Sequence, residues 1–246
     1  MATIPIIITM LPKNRPLADI HTHILPAIDD GAKTVEESLD LLFALKKQGV
    51  SEVVCTPHFD LAETSVNCFL EKRNTSFRLL SEKINNEADL SDIKLRLGAE
   101  VKYDPNLVRT DLSPLCIEGT SYLLLEPLGS YPFNFEYTVD SIVADGITLI
   151  LAHIERFSWL AENFDLLDRL SESGAVFQCT ASALFNPHHA KRFKKLLKRG
   201  YVDLIASDIH SLDRRPPMLE QALSKMKKHS DRLIHNSFCV LSDESL

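Results

Sequence analysis

Residues 34–56 read TVEESLDLLFALKKQGVSEVVCT, and their texture changes halfway along. Val35, Leu39, Leu42, Phe43 and Leu45 recur at helical spacing. Thr34 stands where a helix is capped, and Glu36 and Glu37 lie in the first turn, where the helix dipole favours acid. Gly49 stops the helix, and Val50 to Thr56 is a short β-branched run. The stretch therefore predicts one helix leading directly into one strand.

That alternation continues in both directions. Short β-rich runs fall at 19–22, 51–55, 95–100, 121–126, 147–152, 175–179 and 202–207. Most are continuously apolar, as strands covered on both faces are. Helices are expected at 35–48, 66–85, 135–144, 158–173, 188–199 and 217–228, with Gly146, Gly174 and Gly200 each closing a helix just before a strand. Residues 101–120 read as a loop with short helical turns. Seven strands joined by crossover helices predict an α/β barrel, with an open doubly wound sheet as the alternative. No linker-like segment interrupts the pattern. Residues 17–246 are expected to form a single domain behind a loosely held N-terminal extension, 1–16.

Bulk composition narrows the function classes. A chain of 246 residues, 45% hydrophobic, can bury a core without disulfides or a structural metal. Its formal charge of −7 disfavours a polyanionic partner, so no nucleic acid is expected. Five cysteines, at 55, 68, 116, 179 and 239, form no close pair, which argues for a reducing cytoplasm. Cys55, Cys116 and Cys179 lie in or near apolar runs and read as small core hydrophobes. Ile6-Ile7-Ile8 is too short to span a bilayer and follows Pro5, so no membrane insertion is expected.

The polar residues of interest follow the strands. His21 and His23 end the first, His58 follows the second, Glu100 ends the third, Glu126 the fourth and His153 the fifth. Asp208 and His210 end the seventh, and Asp30 lies in the loop after the first. In a barrel these places share the C-terminal rim, where such folds hold their active sites. His21/His23 and Asp208/His210 are each spaced i, i+2, which puts both side chains of a pair on one face of a strand. A lone His-x-His is common, and a lone glutamate after an apolar run is usually an ordinary rim carboxylate. Nine such groups at successive strand ends need neutralising cations, since buried carboxylates are costly. Mixed imidazole and carboxylate donors suit Zn²⁺, Mn²⁺ or Fe²⁺. Nine ligands imply two or three ions sharing a bridging carboxylate, able to activate water and to bind a phosphoryl group. Arg156 and Arg215 follow two of these positions closely and are expected to contact phosphate oxygens, with Arg214 and Arg73 as weaker candidates.

Asp19-Ile20-His21-Thr22-His23 followed by Asp29-Asp30-Gly31 resembles the opening of the polymerase-and-histidinol-phosphatase (PHP) superfamily. Leu97-Gly98-Ala99-Glu100, Leu124-Leu125-Glu126, Ala152-His153-Ile154-Glu155-Arg156 and Ala206-Ser207-Asp208-Ile209-His210 look like one branch of it, the CpsB/CapC-type bacterial protein tyrosine phosphatases. The resemblance covers about 19–236. It implies the PHP fold, a distorted (βα)7 TIM-like barrel, holding three divalent metal ions, of which manganese is the usual activator and iron or zinc the alternatives. His21, His23, Glu100 and Asp208 would hold the first ion. Glu100 would bridge to a second held by Glu126 and His153, and Asp30, His58 and His210 would hold the third. The implied substrate is phosphotyrosine on a bacterial autokinase of capsular or exopolysaccharide synthesis, attacked in line by a metal-activated hydroxide, with Arg156 and Arg215 at the phosphate and Asp208 in the reacting centre. Phe59-Asp60-Leu61 departs from the basic residues of some relatives, and Asn236-Ser237 lacks a proline. The alternatives are a PHP-type phosphatase of histidinol phosphate or a sugar phosphate, a nuclease, and a non-catalytic assembly factor.

Other residues were weighed against plainer roles. Tyr131 and Phe133 are candidates for a pocket rim, and Trp159 for the pocket or the core. His188 and His189 read as an exposed helix cap, and His229 and His235 as structural or solvated. The run from Lys191 to Arg199 reads as an amphipathic helix with a basic outer face.

Overall fold

The computed structural model describes residues 15–246. The run Ile6-Ile7-Ile8 and the rest of 1–14 lie outside the described residues.

Nine short strands build the sheet: β1 (Leu17–Thr22), β2 (Val50–Cys55), β3 (His58–Phe59), β4 (Lys94–Leu97), β5 (Glu100–Lys102), β6 (Tyr122–Glu126), β7 (Thr148–Leu151), β8 (Val176–Thr180) and β9 (Leu204–Ala206). Every pairing between them is parallel, in the orders β1-β2-β4 and β3-β5-β6-β7-β8-β9. The two sheets are one wall with a break. Pro57, which has no N–H to give to a ladder, separates β2 from β3, and Gly98-Ala99 separates β4 from β5. Hydrogen bonds continue across the gap, from Gly98 N–H to the Cys55 carbonyl (2.9 Å) and from Glu100 N–H to the Pro57 carbonyl (3.1 Å). Counting each broken strand once gives the seven expected positions.

The wall curls until its outer edges meet. Beyond β9, Asp208 N–H donates to the His21 carbonyl (3.0 Å), and His23 N–H donates to the Ile209 carbonyl (3.0 Å). This is the barrel arrangement rather than the open sheet. Ile20, Val54, Leu124, Ile150, Val176 and Leu204, from six strands, form one buried cluster in the interior, with Val240 and Leu241 packed into it. A larger core lies between the strands and the helices.

The helices are α1 (Val35–Lys47), α2 (Val66–Ile84), α3 (Phe135–Ala144), α4 (Ser158–Ala161), α5 (Phe164–Glu172), α6 (Ala190–Arg199), α7 (Leu219–Met226) and α8 (Ser230–Leu241). Thr34 caps α1 as expected, accepting from Glu37 N–H at 3.1 Å. Between β5 and β6 the chain forms 3-10 turns at Pro105–Arg109 and Ser113–Leu115. One expectation changes. The helix expected at 158–173 is two helices, because the Asn163 side chain accepts from Leu166 N–H (3.2 Å) and starts a new one. The C-terminal stretch around His229 and His235 forms α8, whose Leu233, Ile234, Ser237 and Val240 are buried against β1 and β9.

Gly31 fixes the loop between β1 and α1. A Cβ there would come within 2.0 Å of the His23 carbonyl oxygen, which accepts from Ala32 N–H at 3.1 Å. Gly146, by contrast, has a positive φ of 84° but open space around it. Gly31→Ala must displace backbone and is expected to cost toward the upper end of roughly 1–3 kcal/mol. Gly146→Ala bears only the left-handed backbone cost of about 1 kcal/mol. Urea denaturation of the two variants side by side checks that order.

Candidate metal centre

The strand ends carry their polar residues to the same mouth of the barrel, helped by local irregularities. In β1 the register to β2 steps from Asp19–Val53 to Thr22–Cys55, three residues against two. Such a bulge re-aims side chains. Ile20 packs in the barrel interior, yet the next residue, His21, also reaches inward, to Gln178. His153 and Asp208 both take positive φ, 34° and 53°. That conformation costs a non-glycine residue about 1–3 kcal/mol and clusters at functional sites.

Four donor atoms then form a compact set. His21 Nε2 lies 3.2 Å from His23 Nε2, and both approach Glu100 Oε2, at 3.3 and 3.2 Å. Asp208 Oδ1 stands 3.5 Å from each of the two imidazole nitrogens. Ligand atoms held about 2.1 Å from one cation lie roughly 3.0–3.4 Å from each other, so this spacing is that of a coordination shell.

The other proposed ligands adjoin this set. His153 Nε2 is 2.8 Å from Glu100 Oε1 and 3.5 Å from Glu126 Oε1, so the two oxygens of Glu100 face two different groups of donors. Asp30 Oδ1 lies 3.3 Å from His58 Nε2 and 3.1 Å from His210 Nε2. His58 stands between groups, because its Nδ1 is 2.9 Å from Glu100 Oε2. Among the described residues, the donors capable of holding an ion fall into three overlapping groups: His21, His23 and Asp208; His58, Glu100 and Glu126; and His23, Asp30, His58 and His210. All nine residues named from the sequence are thus brought together.

The donor chemistry fits divalent cations. Glu100 Oε2, Asp208 Oδ1, His153 Nδ1 and His210 Nε2 are sealed from solvent without a hydrogen-bond partner. Orphaned buried polar atoms of this kind call for an ion or an ordered partner. Burial pulls the His153 imidazole down to about 4, and Arg156 pushes the same way, so the ring is neutral at pH 7 with a lone pair to give. His23 behaves oppositely. Burial lowers its pKa, but Asp29 and Glu100 outweigh burial and raise it to about 10. The carboxylates thus impose a field that favours positive charge at this spot.

Two further residues position the ligands. Asp29 Oδ2 takes His23 Nδ1 at 2.7 Å and His58 N–H at 3.1 Å, while its Oδ1 accepts from Gly31 N–H at 2.9 Å. It orients the His23 ring so that Nε2 faces the cluster, as carboxylates behind metal-bound histidines do. Gln178 Oε1 accepts from His153 N–H at 2.8 Å and lies 3.3 Å from His21 Nδ1. The signal that points to it is an amide within an apolar strand, Val176-Phe177-Gln178-Cys179.

Arg156 and Arg215 both reach Asp208 Oδ2, the second at 2.6 Å, leaving Oδ1 turned to the histidines. Nearby, Glu162 pairs with Arg192 rather than with Arg156. Arg73 is far from a phosphate role: it is buried and donates to the Gly98 carbonyl at 2.9 Å and the Pro114 carbonyl at 3.3 Å. Trp159 donates to the Leu128 carbonyl (2.9 Å) and meets Tyr131 and Phe135 edge-on. Tyr131 is half exposed, and Phe133 is 85% exposed. Burial pushes the thiols of Cys55 and Cys179 far up and that of Cys116 to about 11, which suits core residues. His235 lies on α8 against Cys239 Sγ (3.5 Å), away from this mouth.

The chain is similar to known proteins over nearly its whole length. A family model described as "Capsular polysaccharide synthesis, CpsB/CapC" matches residues 17–243. The putative tyrosine-protein phosphatase CapC of Staphylococcus aureus is 31% identical over 94% of this chain and 93% of its own length. Tyrosine-protein phosphatase CpsB of Streptococcus pneumoniae is 31% identical over 93% of this chain and 99% of its own. A solved structure from work on YwqE of Bacillus subtilis and CpsB of S. pneumoniae, described as metal-dependent tyrosine phosphatases, superposes with a TM-score of 0.84 at 24% identity, over 94% of this chain and 96% of that one. With a family model matching 17–243 and relatives 31% identical over nearly its whole length, the chain belongs to the CpsB/CapC family.

Proposed function

We propose that this chain is a metal-dependent protein tyrosine phosphatase. It removes phosphate from a phosphotyrosine-bearing autokinase of capsular or exopolysaccharide synthesis, in the cytoplasm, with residues 17–246 acting as one domain. The observation that carries this reading is the pairing of a compact donor set with two guanidinium groups at its edge. Among the described residues, no helix is long and apolar enough to cross a membrane.

His21, His23, Glu100 and Asp208 would hold one ion, Glu100, Glu126 and His153 a second, and Asp30, His58 and His210 a third; the donor types suit Mn²⁺, with Fe or Zn as alternatives. Such ions supply positive charge for phosphoryl oxygens and lower the pKa of water. The chain's own residues do the rest. Arg156 and Arg215 present planar forks to the phosphate, matched to two oxygens each. Most of the donors are nearly or fully buried, so the phosphate must travel inward, and a long aryl ester reaches further than a seryl one. Phe157 beside His153 (5.5 Å between ring centroids), with Trp159 and Tyr131 beyond it, forms an aromatic side to that path. The thiols of Cys55 and Cys179 are buried and pushed up in pKa, which does not suit them to attack.

Three outcomes are expected. His21→Ala and Asp208→Asn lose bound metal and metal-stimulated hydrolysis while keeping a native circular dichroism spectrum; anaerobic purification with elemental analysis reads the first effect. Asp29→Ala keeps every ligand but lowers metal affinity about 10–100-fold, seen as a shifted activation curve on metal titration. Turnover of a phosphotyrosine peptide exceeds that of histidinol phosphate and nucleotide esters in kcat/KM, and the reverse ranking would identify a small-molecule phosphatase.

A further inference from the structure

Two cavities border the centre, and they differ in charge. One, of about 510 Å³, is lined by Asp30, Glu37, Asp40 and Asp213 as well as Lys33 and Arg214. The other, of about 420 Å³, begins at Arg156 and Arg215 and continues past Arg214, His189, Asn186 and Ser182. Its lining includes one acidic residue, Glu155. That carboxylate is fully buried, with Oε1 taken by Thr180 N–H at 3.3 Å.

We propose that this second cavity is a subsite for an acidic side chain flanking the phosphotyrosine, gripped by Arg214 and His189. The inference rests on the phosphatase reading above and adds the sequence context of its substrate. The cavity starts at the guanidinium groups assigned to the phosphate, so a peptide held there by its phosphotyrosine lays a neighbouring residue into it. Arg214 is 87% exposed, and its one acidic neighbour, Asp213, is 3.8 Å away, so its fork is open to a ligand carboxylate. His189 Nδ1 is shielded from water and has no hydrogen-bond partner. The Asn186 amide and the Ser182 hydroxyl add neutral donors. Lys191 and Lys194 follow on α6 and are exposed. A basic flanking residue meets repulsion on this side, which gives discrimination as well as affinity.

The test uses the metal-loaded full chain and three phosphotyrosine peptides that differ only in having Glu, Gln or Lys next to the phosphotyrosine on both sides. The wild-type protein is expected to favour the Glu peptide over the Gln peptide by about fivefold in kcat/KM, the upper range for exposed ion pairs. The preference shrinks at 0.5 M salt, an ionic strength of about three times physiological. Arg214→Gln with His189→Gln abolishes it, and Arg214→Glu shifts it toward the Lys peptide. Equal rates on the Glu and Gln peptides with the wild-type protein would overturn the subsite, as would a Glu preference that survives the double substitution. Hydrolysis of p-nitrophenyl phosphate, which has no flank, reads the centre separately. Its absence in the metal-loaded wild type refutes the phosphatase reading, whereas its presence without flank preference refutes the subsite alone.

Discussion

Glu100 and Asp208 bring two carboxylates to a place almost closed to water, side by side at the mouth of the barrel. Charge buried in this way is expensive unless opposite charge or hydrogen bonds come with it. The surroundings answer that requirement from every side. Histidines from β1, β3 and the end of β7 crowd Glu100, and two guanidinium groups converge on one oxygen of Asp208. Even so, Glu100 Oε2 and Asp208 Oδ1 are left without hydrogen bonds. The protein fold thus compensates these charges only in part, and a bound cation would complete the compensation.

The irregularities of the barrel follow from this demand. A regular parallel strand would send His21 and Ile20 to opposite faces; the register step in β1 lets both enter the interior. The break at Pro57 frees His58 to lie beside Glu100, its ladder partner on β5. Positive φ at His153 and Asp208 is strain held by bonds on either side, from Gln178 to the His153 amide and from the His21 carbonyl to the Asp208 amide. Two of these donors thus sit on strained backbone, while the opposite end of the barrel is filled by packing of Val240 and Leu241.

Much of this was legible in the sequence, for identifiable reasons. Strands covered on both faces leave continuous apolar runs, so their ends, and hence His58, Glu100, Glu126 and His153, stood out by contrast. What stayed hidden depends on pairing rather than pattern. Asp29 was quoted within Asp29-Asp30-Gly31, but nothing in that spacing says which acid faces an ion and which holds a ring. Gln178 is a single amide in a strand, and its partners lie 25 and 157 positions away. Helix α8 was missed because its polar residues are many and its apolar ones are shared between two strands. The split between α4 and α5 turns on one cap, Asn163, in a stretch whose apolar spacing runs on without a gap.

The seam between β9 and β1 closes only when both ends of the polypeptide are present. It is stitched by two backbone bonds and by Asp19 accepting from Ser207 N–H at 3.0 Å. Its two sides come from opposite ends of the polypeptide: His21 and His23 emerge from the ribosome early, Asp208 and His210 nearly last. A truncated product ending just before residue 208 has an open stave and lacks Asp208 and His210. On the proposed metal-centre reading, competence would come in one stroke, late in synthesis, once the seam closes.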